Sequence, residues 1–172
     1  MGRTRTTARS GPDIYLGALR DHLSIESKAI ETTLSELFVC EQYPGLCRRM
    51  EEDLAMSRSH AREITTLLSR HGHPAPVPHE TVSSILSTVS GLLHGGEDHD
   101  VLKNVLAASG YRAHQIASLR SLILMARQLG FTQDAAVLDC LKDEETAATD
   151  ALASLMPEIT SQYLAASQKA TS

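Results

Sequence analysis

Four residues of this chain are of types that do chemistry and stand where a helix would otherwise show an apolar side chain. Glu26 lies between Leu23 and Ile30, Glu145 between Leu141 and Ala148, each one helical turn from its apolar neighbours. His60 adjoins Ala61 and Ile64, and Arg112 sits midway along a long proline-free stretch, with Gln115 one turn on. An unpaired charge buried on such a seam is very costly, so these side chains must meet partners. Two kinds of partner suit them. Carboxylates can bridge metal cations while an imidazole completes the coordination, for which Glu26, His60 and Glu144 or Glu145 are the candidates. Alternatively a guanidinium can neutralise carboxylates through paired hydrogen bonds, which would join Arg112 to Glu26 and Glu145 with Gln115 in the same network. The plainer reading of Arg112 is that it snorkels to solvent at an edge, leaving Glu26 partly exposed.

The elements that must position these residues are read from periodicity. The stretch 101–130 recurs apolar or small at Leu102, Val105, Ser109, Ile116, Leu119, Ile123 and Ala126, a helix face turned to a core. Before it, the breaker Gly11-Pro12 and a cap at Asp13 open a first helix over 13–40, with a face of Leu16, Leu19, Leu23, Glu26, Ile30 and Leu37. Tyr43-Pro44-Gly45 signals a turn, and a second helix over 46–70 carries Met50, Leu54, Ala61, Ile64 and Leu68, with Asp53, Met56, Ser57 and His60 on or beside that face. Gly72 ends it. The prolines of 73–79 predict an extended linker, followed by a short helix over 80–93 and the carboxylates Glu97, Asp98 and Asp100, which suit a helix start. A metal role for His71, His73 and His79, or for Asp98, His99 and Asp100, is the sharper but weaker reading of those clusters. Thr132 can cap a fourth helix through Leu138, Leu141, Glu145, Ala148, Leu152 and Leu155. Pro157 is expected to break or kink the chain before a short last helix over 158–167. Four long helices with one extended crossover between the second and third is the connectivity of an all-α, ferritin-like four-helix bundle.

Composition agrees and narrows the function. A chain of 172 residues, with few aromatics and no Trp, suits one helical domain, expected over 13–167 between a basic disordered tail at 1–12 and a flexible end at 168–172. A net charge of −5, with basic residues concentrated only at Arg3, Arg5 and Arg9, argues against nucleic acid as a partner. No segment approaches the roughly 20 apolar residues of a membrane span, and the tail lacks the apolar run of a signal peptide, although MGRTRT matches the loose myristoylation pattern. Three cysteines without a CxxC are read as thiols of a reducing cytoplasm, Cys40 and Cys140 as small buried hydrophobes, with a Cys40–Cys47 bridge as the alternative. No nucleophilic triad or phosphate-binding glycine loop occurs, and no catalytic residue is assigned.

Several pieces, in order and spacing, resemble the YciE/YciF family of bacterial ferritin-like proteins. They are Leu19-Arg20-Asp21 followed by Glu26; Leu102-Lys103-Asn104 with Ile116-Ala117 and Ser121-Leu122; and Asp143-Glu144-Glu145 followed by Ile159-Thr160 and Tyr163-Leu164. The resemblance spans nearly all of residues 15–164. It implies a five-helix ferritin-like bundle, often dimeric, associated with stress responses and with metal between its helices. By that resemblance Glu26 matches the ligand of the first helix and Glu144-Glu145 the acid of the fourth, while His60 falls near the site of the second. The chain departs from the pattern at Met56, Arg112 and Gln115, where the family has Glu.

The expectation is therefore a cytoplasmic, homodimeric ferritin-like protein with a degenerate, metal-free core and a stress-associated structural or interaction role. No cofactor is expected in that case. The alternative is a residual Fe, Mn or Zn site on Glu26, His60 and Glu144 or Glu145.

Overall fold

Helix ends leave backbone groups without intrahelical partners, and at three ends the sequence visibly supplies them. The computed structural model describes residues 9–37, 40–74 and 101–170, which form four helices: α1 Gly11–Leu37, α2 Pro44–Arg70, α3 Val101–Gln128 and α4 Thr132–Ala170. No strand occurs among the described residues. The cap of α1 is Ser10 rather than Asp13. Its hydroxyl accepts the Asp13 N–H (3.3 Å), and the Asp13 carboxylate accepts the Ser10 N–H (3.3 Å) and hydroxyl (2.6 Å), a reciprocal capping box. Pro12 then lies in the first turn, where its missing N–H would have been unbonded anyway. Pro44 opens α2 in the same way. Gly72 and Gly130 take left-handed φ values of 74° and 77°. That turn lets His73 N–H reach Leu68 O and Phe131 N–H reach Ala126 O, closing α2 and α3 with six-to-one bonds.

The buried stripe of α3 is Val101, Val105, Arg112, Gln115, Leu119, Leu122, Ile123 and Ala126. It lies slightly round the helix from the expected one, and Leu102 and Ile116 are half-buried. Pro157 does not divide the last helix: α4 continues through it to Ala170. The proline forfeits one backbone bond, but Leu152 and Ile159 on either side are both buried in the same apolar cluster, which holds the helix across the gap.

α1 packs mainly on α2 and α3 mainly on α4, giving two antiparallel hairpins joined by α2 against α4 and α1 against α3. Apolar clusters fill the two ends. One contains Leu19, Leu67, Leu119 and Leu138, the other Leu46, Met50, Val105 and Leu152. Asp53 of α2, Arg112 and Gln115 of α3 and Glu145 of α4 fall between the two, so the core is polar at mid-height and apolar above and below.

The cysteine reading is corrected. Cys40 and Cys47 are joined in a disulfide, and Cys140 is an exposed thiol rather than a buried one. Between the hairpin helices Tyr43 N–H bonds Cys40 O (2.7 Å), and this tight turn brings the two Cα atoms to 5.5 Å. Cys40 is buried as expected, but bonded, so the cysteines give no argument for a reducing compartment. No helix among the described residues is long and apolar enough to cross a membrane. The expected linker prolines from Pro76 on, the short helix over 80–93, the Asp98-His99-Asp100 cluster and the tail arginines Arg3 and Arg5 lie outside the described residues.

The cluster around Leu119 should dominate stability. Leu119→Ala should lower the unfolding free energy by about 2–5 kcal/mol in urea titrations, and Ser10→Ala by about 1 kcal/mol. Equal losses would mean that the Leu119 side chain does not fill the core as described.

Candidate functional site

Around mid-height each of the four helices turns at least one ionisable or amide side chain inward. α1 contributes Glu26 and, one turn earlier, His22; α2 contributes Asp53 and His60; α3 contributes Arg112 and Gln115; α4 contributes Glu145. Glu26, His60, His22 and Glu145 are fully enclosed. Burial at this level is possible because the charges answer one another.

The guanidinium of Arg112 donates from Nη1 to Glu145 Oε2 (3.0 Å) and pairs through Nη2 with Asp53 Oδ2. Asp53 is also held by Arg49, whose Nε and Nη2 lie 2.8 and 2.6 Å from Oδ1. The pairing of Arg112 with Glu26 expected from sequence does not form. Arg112 turns instead to α2, where Asp53 offers a nearer carboxylate, and Gln115 serves Glu26 in its place. The Gln115 amide donates to Glu26 Oε1 (3.2 Å) and to Glu145 Oε1 (3.4 Å), spanning the two acids.

His60 occupies the other side. Its Nε2 lies 2.9 Å from Glu144 Oε2, and because an ionised carboxylate only accepts, this nitrogen carries the proton. Nδ1, a lone pair whenever the ring is neutral, lies 3.7 Å from Glu26 Oε1 and 3.6 Å from Glu145 Oε1. Glu144 itself is largely exposed. Adjacent helix positions diverge by about 100°, so only Glu145 of the pair faces inward, and Glu144 braces His60 from outside.

Among the described residues three enclosed polar atoms have no hydrogen-bond partner: His60 Nδ1, Glu26 Oε2 and His22 Nε2, the last 3.3 Å from Glu26 Oε1. Glu26, His60 and Glu145 each offer one ligand atom, and these atoms lie within 4.8 Å of one another. Of the three inward carboxylates, Asp53 is paired with Arg49 and Arg112 and Glu145 with Arg112, Arg49 serving Glu52 as well (2.9 Å). Glu26 has no guanidinium partner, and its negative charge lies where His60 Nδ1 points.

The acid–base properties follow from that geometry. Burial pushes Glu26 up, but the imidazoles of His22 and His60 outweigh it and hold the carboxyl at about 2. Burial raises Glu145 to about 7, with Arg112 opposing and Glu26 adding to the rise. Burial disfavours the His60 imidazolium, yet Glu26, Glu144 and Glu145 together hold its pKa above the ordinary value.

The helix-face reading places Asp53 beside the face of α2 without giving it a role and does not reach His22. Both had a legible signal. Asp53 is seven residues before His60, and His22 is four before Glu26, spacings that share a helix face.

Residues 11–165 match the domain of unknown function DUF892. A crystal structure of a protein from Xanthomonas campestris pv. campestris has the same fold, with a TM-score of 0.77 at 20% identity over 92% of this chain and 98% of that one. The crystal structure of the E. coli stress protein YciF aligns at a TM-score of 0.66 and 19% identity, over 87% of this chain and 96% of that chain.

Arg112→Ala leaves Glu145 and Asp53 facing each other without their shared cation, and should cost about 3–5 kcal/mol of stability. A variant that melts with the parent would place the guanidinium outside the core. The elevated Glu145 carboxyl makes the folded state hold a proton that the unfolded chain releases from about pH 4.5 upward. In chelator-treated protein this contribution makes stability fall as pH rises from 4.5 to about 7. Glu145→Gln should therefore flatten the melting-temperature profile in that window, and an unchanged slope would refute the assignment.

Proposed function

The chain belongs to the DUF892 family, and on that footing we propose that it is a ferritin-like bundle protein whose core holds one divalent cation on Glu26, His60 and Glu145. The Arg112 guanidinium stands beside it in place of a second cation, neutralising Glu145 and Asp53. The observation that carries this reading is His60. Its Nε2 is tied to Glu144 while its Nδ1, enclosed and unbonded, faces two carboxylates, the carboxylate–histidine arrangement that orients an imidazole toward a metal. The spare negative charge and the unbonded Glu26 Oε2 point the same way.

The donor set is two carboxylates and an imidazole with no sulfur, which suits Fe, Mn or Zn. A bound ion would supply Lewis acidity, or one-electron chemistry in the case of iron. The protein's own residues do the rest. Gln115 fixes the separation of Glu26 and Glu145, Glu144 sets the tautomer and tilt of His60, and the apolar clusters at both ends keep bulk water away.

A second reading is favoured by the completeness of the Arg112 network. Glu145 and Asp53 are already bonded, so a proton on His60 would satisfy the remaining charge, and the core would be a metal-free structural device. The protein's role would then be structural or interactive. With either core, a stress-associated role is an extension from the E. coli stress protein of the same fold.

Chelator-stripped protein titrated with Mn²⁺, Fe²⁺ and Zn²⁺ should take up one ion per chain, and Glu26→Ala should abolish it. Arg112→Glu combined with Gln115→Glu should raise the capacity to two. Failure of the parent to bind any of the three would sink the cation reading in favour of the proton.

A further inference from the structure

A cavity of about 220 Å³ opens between α1 and α3 and runs inward to the polar core. Its walls are short side chains, among them Ala29, Thr33, Ala107 and Ala108, which is why two neighbouring helices leave a gap there. Across it Tyr111 donates from its hydroxyl to Ile25 O (2.7 Å), holding α3 at a fixed distance from α1. The inner end is formed by Asp53, Ser57, Arg112 and Gln115. Gln115 is shared: it lines the cavity and also hydrogen-bonds Glu26 and Glu145. Only its carboxamide therefore needs to turn for the cavity to meet the two acids.

At the outer part stands Glu36, half-buried, without a hydrogen bond or ion pair among the described residues, its carboxyl pushed by burial to about 7. A carboxylate in that condition lacks a cation. The charges further in are mostly matched, since Arg112 is bonded to Asp53 and Glu145, and Asp53 also to Arg49. The acids along this path without a guanidinium or ammonium partner are thus Glu36 near the surface and Glu26, held by imidazoles and Gln115, at its end. Lys28 also lines the cavity, but its ammonium is exposed and lies 3.7 Å from Glu31. A positive ion is therefore drawn inward between the two acids, and the Arg112 guanidinium, its charge shared with two carboxylates, opposes it little.

The volume is many times the roughly 10–15 Å³ that admits a single water, enough for an ion that keeps part of its hydration. Among the described residues two other approaches are closed: the enclosed His60 ring stands between Glu144 and the site, and apolar clusters fill both ends of the bundle.

We propose that this cavity is the entry path of the divalent cation, with Glu36 as its outer capture residue and Gln115 as the gate before Glu26 and Glu145. The inference rests on the cation reading above and adds the route to it. Its signature is a change in loading rate without a change in affinity.

The test is chelator-stripped protein mixed rapidly with Co²⁺, whose visible absorption follows entry into the site, together with an equilibrium titration of the same samples. Ala107→Phe, at an exposed position of the wall, should slow uptake at least about tenfold. Glu36→Gln should slow it by about three- to tenfold and weaken its dependence on ionic strength, as expected for removal of a steering charge. Both should keep the parental affinity within about twofold. If the parent binds Co²⁺ and both variants load at its rate, the route is wrong while the cation site stands. If Glu36→Gln loses affinity in proportion to rate, Glu36 is a ligand and the path assignment falls. If the parent takes up no Co²⁺, the route falls together with the site. Should Ala107→Phe lose its helical circular dichroism, Glu36→Gln alone decides, because its side chain is half-exposed and changes no volume.

Discussion

The guanidinium of Arg112 is what allows this core to be polar. It joins three helices at one level, bonding Glu145 of α4 and Asp53 of α2 from its place on α3. Without it Glu145 would be enclosed with no guanidinium partner, beside Glu26 and an Asp53 held by Arg49 alone, and a buried carboxylate left in that state is costly. With it, the helices can close to normal packing distance, and Gln115 and His60 are brought to Glu26 as a result. The arrangement is also directional. An arginine offers a planar fork that fits two acids on opposite sides, so the register of α3 against both neighbours is fixed by where those acids stand.

The bundle itself was legible from periodicity because its ends are apolar and its helices are bounded by Pro and Gly. The hairpin break at Pro44-Gly45, the closing glycines 72 and 130, and the seam positions of Glu26 and Glu145 follow from one-dimensional spacing alone. What spacing does not carry is which of several acids an arginine on a neighbouring helix will meet. Glu26 and Asp53 both lie on inward faces, and the choice between them depends on the relative height of α1, α2 and α3, a property of packing. The same limit explains the cysteines. The turn signal at Tyr43-Pro44-Gly45 leaves a Cys40–Cys47 bridge open but does not decide it, because the approach of the two cysteines depends on how tightly that turn folds.

Pro157 shows a tertiary effect overriding a local rule. The local cost of a proline in a helix is real, but Leu152 and Ile159 are held by the same apolar cluster, and that burial is lost if the chain turns away between them. Glu144 and Glu145 make the complementary point. The two are equivalent in composition, yet helical geometry sends one into the core and the other to the surface, where it acts on the core only through His60.

The split of the molecule into two hairpins bears on how it folds. Each hairpin buries much of its surface through contacts near in sequence, and local contacts of this kind form early. The polar site is divided along the same line, with Glu26, His60 and Asp53 on one hairpin and Arg112, Gln115 and Glu145 on the other. Dehydration of these groups therefore falls at the docking of the hairpins, when partners from both sides must arrive together. A docking shifted by one turn would strand charges in an apolar layer. The polar level thus acts as a register check at the last assembly step, a task a uniformly leucine-lined interface between the same hairpins would perform poorly.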